Sequence, residues 1–239
     1  MKTLFVSGTD TEVGKTWVAC EILRELRSNG HRVGAWKPVC SGAIEQNGQL
    51  IWNDVQLLAS AIGADATDPI LIDRICSQRF VAPMAPNVAA RLEGRNICDV
   101  DLAAGINLWQ DYADLVLIEG AGGLLSPASD RMLVADLVLR LSSPLLLVTA
   151  NRLGAIHQTL ATVESARTRG LEVMAVILNH VTGDVDPFLR EANEDELKRL
   201  LVDVPLLVVP YAGDTLPWSR HINLAQWFRP LDRDEPLGG

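Results

Sequence analysis

Cysteine is scarce and scattered. The chain of 239 residues has four, Cys20, Cys40, Cys76 and Cys98, with no Cys-x-x-Cys pair. That spacing excludes the common zinc frameworks and dithiol redox motifs, and predicts isolated buried thiols in a reducing cytoplasm. The four histidines, His31, His157, His180 and His221, show no metal-ligand spacing, and His31 and His221 read as surface residues. Positive charge is also short: 21 Lys and Arg face 30 Asp and Glu, a net charge of −9. This leaves no basic face for nucleic acid, so any phosphate the chain binds belongs to a small nucleotide. No apolar run reaches membrane-spanning length, because Asp, Arg, Ser and Pro interrupt each one. The first residues enter a strand-like run with no charged-then-apolar leader, so neither a membrane nor a secretory route is expected. Aromatic residues are few, and the six tryptophans read as packing rather than a base-stacking platform. With no internal repeat or linker, the composition predicts a single α/β domain over 1–228. The segment 229–239, rich in charge, Pro and Gly, is expected to be a loose tail.

What the chain does have is Gly8-Thr9-Asp10-Thr11-Glu12-Val13-Gly14-Lys15-Thr16. The apolar run Thr3-Leu4-Phe5-Val6-Ser7 precedes it, and an amphipathic run starting at Trp17 follows. Strand, glycine-bearing loop and helix, ending in Gly-Lys-Thr, form the setting of a phosphate-binding loop. Backbone N–H groups at the helix start face an anion, the lysine reaches the terminal phosphates, and the threonine hydroxyl is placed for Mg²⁺. The usual spacing puts a glycine at position 9. Here that residue is Thr9 and the glycine is one earlier, so the flanking elements carry the assignment.

Apolar, β-branched runs alternate with helix-period segments along the rest of the chain. Strands are predicted at 4–7, 32–38, 115–119, 145–150, 173–179 and 206–210. Helices are predicted at 15–28, 54–61, 87–92, 100–112, 134–141, 154–169 and 191–201. Repeated strand–helix–strand units predict a doubly wound, mostly parallel sheet with helices on both faces. Ligands of such sheets bind beyond the carboxyl ends of the strands.

The residues just after the strands are therefore the candidates. Lys37 follows the second strand and Pro38 holds it extended. There a lysine neutralises an anionic substrate or a transferring phosphoryl group, unless it is only a surface lysine. Asp54 starts a helix, either as an N-cap or as an oxygen ligand. Glu119 ends the apolar run Leu115-Val116-Leu117-Ile118 and precedes Gly120-Ala121-Gly122-Gly123, the place of a second metal ligand in phosphate-loop enzymes. Thr16, Asp54 and Glu119 together form an oxygen set that suits Mg²⁺.

These strings, with Lys37-Pro38-Val39, Ser41-Gly42, Asn53-Asp54, Leu153-Gly154, Asn179 and Ile222-Asn223-Leu224, resemble the dethiobiotin synthetase family over almost the whole chain. The resemblance implies a phosphate-loop fold, Mg·ATP, and 7,8-diaminononanoate with CO₂ as substrates. It implies a carbamate on one amine, phosphorylation to a carbamic–phosphoric anhydride, and ring closure by the second amine. By the same resemblance, Glu12, Val13, Gly14, Lys15, Thr16 and Trp17 would hold the phosphates, with Gly120, Ala121 and Gly122 alongside. Lys15 and Lys37 would be catalytic, and Thr11 and Ser41 would face the reacting end of the diamine. Asn179 would read adenine, with Pro210, Tyr211 and Ala212 lining that pocket. The family implies a homodimer, in which the helix from Gly154, with His157, holds the substrate carboxylate of the partner's site. Two places depart from the family pattern: His157-Gln158 stands where Asn-His is usual, and Ala85-Pro86-Asn87 where Ser-Pro-His is common.

Two other classes fit the phosphate loop less well. A partition-type switch ATPase usually has a lysine where this chain has Asp10, and ends its third strand in Asp rather than Glu-Gly-Ala-Gly-Gly. An amide-forming ligase of the cobyrinate type needs a glutamine-splitting domain, for which 239 residues leave no room.

Overall fold

A computed structural model describes residues 1–211 and 223–231. The chain enters the central strand at once, β1 (Lys2–Gly8), and leaves it through the loop 9–14 into α1 (Lys15–Ser28). After β2 (Val33–Trp36) come the short β3 (Cys40–Ser41) and a hairpin, β4 (Ile44–Gln46) and β5 (Gln49–Ile51). Four small helices follow, α2 (Asn53–Ala61), α3 (Pro69–Ile75), α4 (Pro86–Leu92) and α5 (Asp99–Ala104), with β6 (Arg79–Phe80) between α3 and α4. The remainder alternates: β7 (Leu115–Gly123), α6 (Val134–Arg140), β8 (Leu145–Ala150), α7 (Ala155–Thr168), β9 (Val173–Asn179), α8 (Pro187–Leu200), β10 (Leu206–Val209) and β11 (Arg229–Pro230).

The sheet runs β10-β9-β8-β1-β7-β2, all parallel, with β11 antiparallel against the start of β1. This is the doubly wound α/β class expected. All six residues of β8 are buried, and six of seven in β1, so both faces of the sheet are covered. α1 packs on β1, β2 and β7, whereas α7 packs on β8 and β9. No helix among the described residues is long and apolar enough to cross a membrane.

Some expectations need correction. The helix predicted over 100–112 stops at Ala104 and tightens into a 3₁₀ turn, Gly105–Trp109. Its packing explains the change: a Cβ on Gly105 would stand 2.9 Å from the Trp36 ring, and one on Gly34 2.5 Å from the Trp109 ring. The tighter turn brings both indoles against glycines of neighbouring elements. The tail is not loose from residue 229: Arg229 and Pro230 pair with Thr3 and Lys2, and Leu231 N–H donates to Met1 O at 3.4 Å. Residues 229–231 therefore pair with the start of β1. Cys98 is exposed, unlike Cys20, Cys40 and Cys76, and all four are free thiols.

Candidate active site

The phosphate loop joins the carboxyl end of β1 to α1. Gly14 caps α1 with φ 88°, a left-handed conformation that favours glycine, and a Cβ there would stand 2.1 Å from Asn179 Nδ2. The backbone therefore passes directly against the end of β9. Asn179 fixes the contact by donating from Nδ2 to Val13 O at 3.1 Å. Lys15 is buried and donates to Asp10 O at 2.8 Å, curling its chain back over the loop. Burial is the main cause that brings the Lys15 ammonium down to about 8. Glu119 opposes that shift and Lys37 adds to it.

Beside the loop, Lys37 sits between two carboxylates. Its Nζ donates to Glu119 Oε1 at 2.6 Å and to Asp54 Oδ2 at 2.5 Å. Thr16 Oγ1 donates to the same Glu119 oxygen at 2.7 Å. Burial opposes charge on Lys37, but Glu119 and then Asp54 outweigh it and hold its pKa well above the ordinary value. Burial likewise works against the Asp54 carboxylate, and the Lys37 charge, with hydrogen bonds from Lys37 and Thr16, holds it below the usual range. Asp54 is not the N-cap of α2, a position taken by Trp52; it lies in the first turn and faces the lysine. Lys37 is buried, which disposes of the surface-lysine reading.

Thr11, Ser41, Cys40 and Gly120–Gly122 complete a cleft of about 310 Å³ around these groups. Ser41 Oγ donates to Met84 O at 2.6 Å, which ties the cleft wall to the segment before α4. Cys40 is no nucleophile at neutral pH, because burial pushes its thiol up to about 11. A second cleft, of about 330 Å³, shares Gly14 and Trp17 with the first and is lined by Asn179, His180, Pro210 and Tyr211. The expected base-binding residues are thus gathered on the far side of the loop from Lys37. Ala212 lies outside the described residues, as does Ile222. Gly154 and His157 stand apart, exposed at the start of α7, and line neither cleft.

The site fits Mg²⁺ by donor chemistry. Thr16, Asp54 and Glu119 offer oxygen only, and Glu119 Oε2 is buried without a partner among the described residues. Among those residues no cluster of three or more His, Cys, Asp or Glu is placed to hold a metal. Two carboxylates and a hydroxyl suit an ion that arrives with phosphate oxygens and water.

The sequence reading passed over a buried polar group at the ends of β8 and β9. Asn151, His180 and Asn193 meet there, with Asn151 and Asn193 both buried. The available signal was position: Asn151 follows β8 and His180 follows β9, both at the ligand edge of the sheet.

The AAA domain family matches residues 2–215. The ATP-dependent dethiobiotin synthetase BioD of Rhodopirellula baltica is 38% identical over 206 residues, covering 82% of this chain and 78% of that protein. The protein of the same name from Anaeromyxobacter sp. (strain K) is 38% identical over 225 residues, 93% of this chain and 96% of its own. This chain belongs to the dethiobiotin synthetase family. Among solved structures, the septum site-determining protein MinD of Pyrococcus horikoshii, complexed with Mg-ADP, aligns with TM-score 0.52 at 20% identity, over 87% of this chain and 81% of that one. The signal recognition particle receptor FtsY of Elizabethkingia anophelis gives TM-score 0.52 at 16% identity, over 94% of this chain and 63% of that one. At such identities the likeness is one of fold, and it places the dethiobiotin synthetase family member in the phosphate-loop architecture. The switch-ATPase reading is not favoured.

Proposed function

We propose that this chain closes 7,8-diaminononanoate and CO₂ into dethiobiotin at the expense of ATP, in biotin synthesis in the cytoplasm. The observation that carries the reading is Lys37, buried beside the phosphate loop and paired with both Glu119 and Asp54. A carbamate forms when one amine of the substrate takes CO₂ and loses a proton. It is a poor electrophile, because its oxygen leaves badly. Attack of a carbamate oxygen on the γ-phosphorus breaks the bond to the β-phosphate bridging oxygen and releases ADP. The second amine then attacks the carbamoyl carbon, phosphate departs and the cyclic urea closes. Closure is intramolecular and avoids the entropy of a second encounter.

The protein's part is to position charges. Lys15 turns from Asp10 O to the terminal phosphates. Lys37 stands where the carbamate meets the γ-phosphate and neutralises the charge passing between them. Thr16, Asp54 and Glu119 would hold Mg²⁺, which when bound would supply positive charge to the phosphate oxygens. Glu12, Val13 and Gly14 present the loop backbone to the phosphates, with Trp17 and Gly120–Gly122 alongside. Thr11 and Ser41 face the diamine. Asn179, Pro210 and Tyr211 receive adenine. The working unit is a homodimer. The start of α7, at Gly154 with His157, meets the carboxylate of the substrate in the partner's site. The N–H groups of Ile156 and His157 support this, since neither has a partner among the described residues.

The test is to incubate the purified protein with the diamine, bicarbonate and Mg·ATP, and to look for dethiobiotin by mass with one ADP per product. ATP hydrolysis without dethiobiotin overturns the reading. A monomer in sedimentation at full activity removes the shared-site part of it.

A further inference from the structure

The amide of Asn151 faces two acceptors. Its Nδ2 donates to Arg190 O at 3.2 Å and stands 3.0 Å from His180 Nε2. Because Arg190 O can only accept, that nitrogen is the donor side, and Asn151 Oδ1 is turned to Asn193. Asn193 Nδ2 donates to Asn151 Oδ1 at 2.9 Å and to Arg152 O at 3.2 Å. Arg152 O also accepts the first N–H of α7, from Ala155 at 3.0 Å. Every orientation in the group is thereby fixed, and His180 Nε2 is left as an acceptor, with the ring proton on Nδ1. Burial, followed by the nearby Arg190 charge, keeps this imidazole below its ordinary pKa and so neutral.

The chain of contacts has a direction. It starts at His180 in the base cleft, crosses Asn151 and Asn193, and ends on the carbonyl that receives the first N–H of α7. The side chain of Arg152 in turn points to Asp10 of the phosphate loop, with its guanidinium 3.9 Å from Asp10 Oδ2. Asn193 comes from α8, remote in sequence, so the loop 152–154 is held from outside itself. Two buried amides that satisfy each other and a helix-start carbonyl are costly to leave half-paired, which makes the arrangement a single one.

We propose that Asn151 and Asn193 are positioning residues, a buried amide clasp that sets the loop 152–154 and hence where the free N–H groups of α7 point. This rests on the reading above that the start of α7 meets the substrate carboxylate. Asn151 and Asn193 line neither cleft, so the loss of the clasp should change binding of the substrate tail and leave the phosphoryl step intact.

The test uses the full chain and the variants Asn193→Ala and Asn193→Asp. The second keeps the shape but turns a carboxylate oxygen on two acceptors. Each is assayed with the diamine and with the same vicinal diamine lacking the tail carboxylate, and hydrogen exchange is followed at residues 152–157. The expected result is faster exchange confined to this segment, a KM for the carboxylated diamine raised about tenfold, kcat within about twofold, ATP KM unchanged, and a narrowed preference for the carboxylated substrate. Unchanged exchange at 152–157 overturns the clasp. Faster exchange with unchanged diamine KM overturns its positioning role, provided the unsubstituted protein prefers the carboxylated diamine. If the unsubstituted protein shows no such preference, the reading of the α7 start fails, and the proposal fails with it.

Discussion

Replacing Lys37 by methionine keeps most of the side-chain volume and removes the ammonium. In the nucleotide-free protein Glu119 then loses its cation, with its carboxylate buried and one oxygen already unpartnered. At 2.6 Å and an effective dielectric of about 20, the gross attraction lost is roughly 6 kcal/mol. Desolvation of the pair offsets part of this, and removing one member of a buried pair costs about 3–5 kcal/mol in practice. Asp54 is half exposed, and water takes over much of its share. For a chain of this length the cost corresponds to a fall in Tm of roughly 6–20 °C. Mg·ATP should restore part of that loss, because on the proposed metal assignment its cation would sit against the two carboxylates. On the role proposed for Lys37, between carbamate and γ-phosphate, kcat should fall about 10²–10³-fold while ATP affinity changes little. Scanning calorimetry with and without Mg·ATP, together with steady-state ADP release, reads both effects. An unchanged kcat with weakened ATP binding would make Lys37 a ground-state phosphate clamp. An unchanged Tm would mean that the buried pair is not the one described.

Glu119→Gln should abolish measurable turnover while far-ultraviolet circular dichroism stays the same, and chelation of divalent ions should match it; activity surviving either treatment removes the metal assignment. Gly14→Ala should weaken ATP binding by more than about tenfold, since a left-handed non-glycine residue costs roughly 1–2 kcal/mol and its Cβ meets Asn179; calorimetric titration decides it. Asn179→Ala should raise KM for ATP and narrow its preference over CTP with kcat nearly kept, whereas a kcat collapse would place Asn179 in the chemistry. Stability should decline as pH falls below about 6.5, because the unfolded chain protonates His180 there while the folded chain, by burial and Arg190 against the opposing Glu194, resists it. His180→Gln should flatten that slope in denaturant melts, and an identical slope would exclude His180 as its source.

The sheet and the phosphate loop were legible because each strand carries its own signal. β8 and β9 were bounded to the residue, since continuous apolar runs between polar stops leave one solution. Lys37 and Glu119 were legible because each ends or follows a strand, where topology must bring them to one edge, and Asp54 was legible as the start of the helix after the next loop. α3 and the β4–β5 hairpin were missed although local signals existed: Asp68 accepts from Ile70 N with Pro69 at the first turn, and Asn47 and Gly48 both have positive φ. Neither segment has a strong apolar period, which was the feature being read. β11 was illegible for another reason. Two residues carry no period, and their strand exists only because the start of β1 has an open edge. The Asn151–Asn193 clasp joins residues 42 apart through side chains alone, and no spacing announces it.

The order β8-β1-β7 puts the phosphate loop on a watershed. Downhill on one side lie Glu119 on β7 and Lys37 after β2, the groups that handle charge. On the other lie Asn179 at the end of β9, which lines the second cleft, and Asn151 after β8, which is tied through Asn193 to the loop before α7. The two flanks hang from different strands and share the phosphate loop, with Gly14 and Trp17 lining both clefts. On the proposed roles, a change on one flank would alter nucleotide or substrate-tail preference with little effect on the charged groups of the other. His157-Gln158 falls on the first of these flanks, and Glu119-Gly120-Ala121-Gly122 on the second.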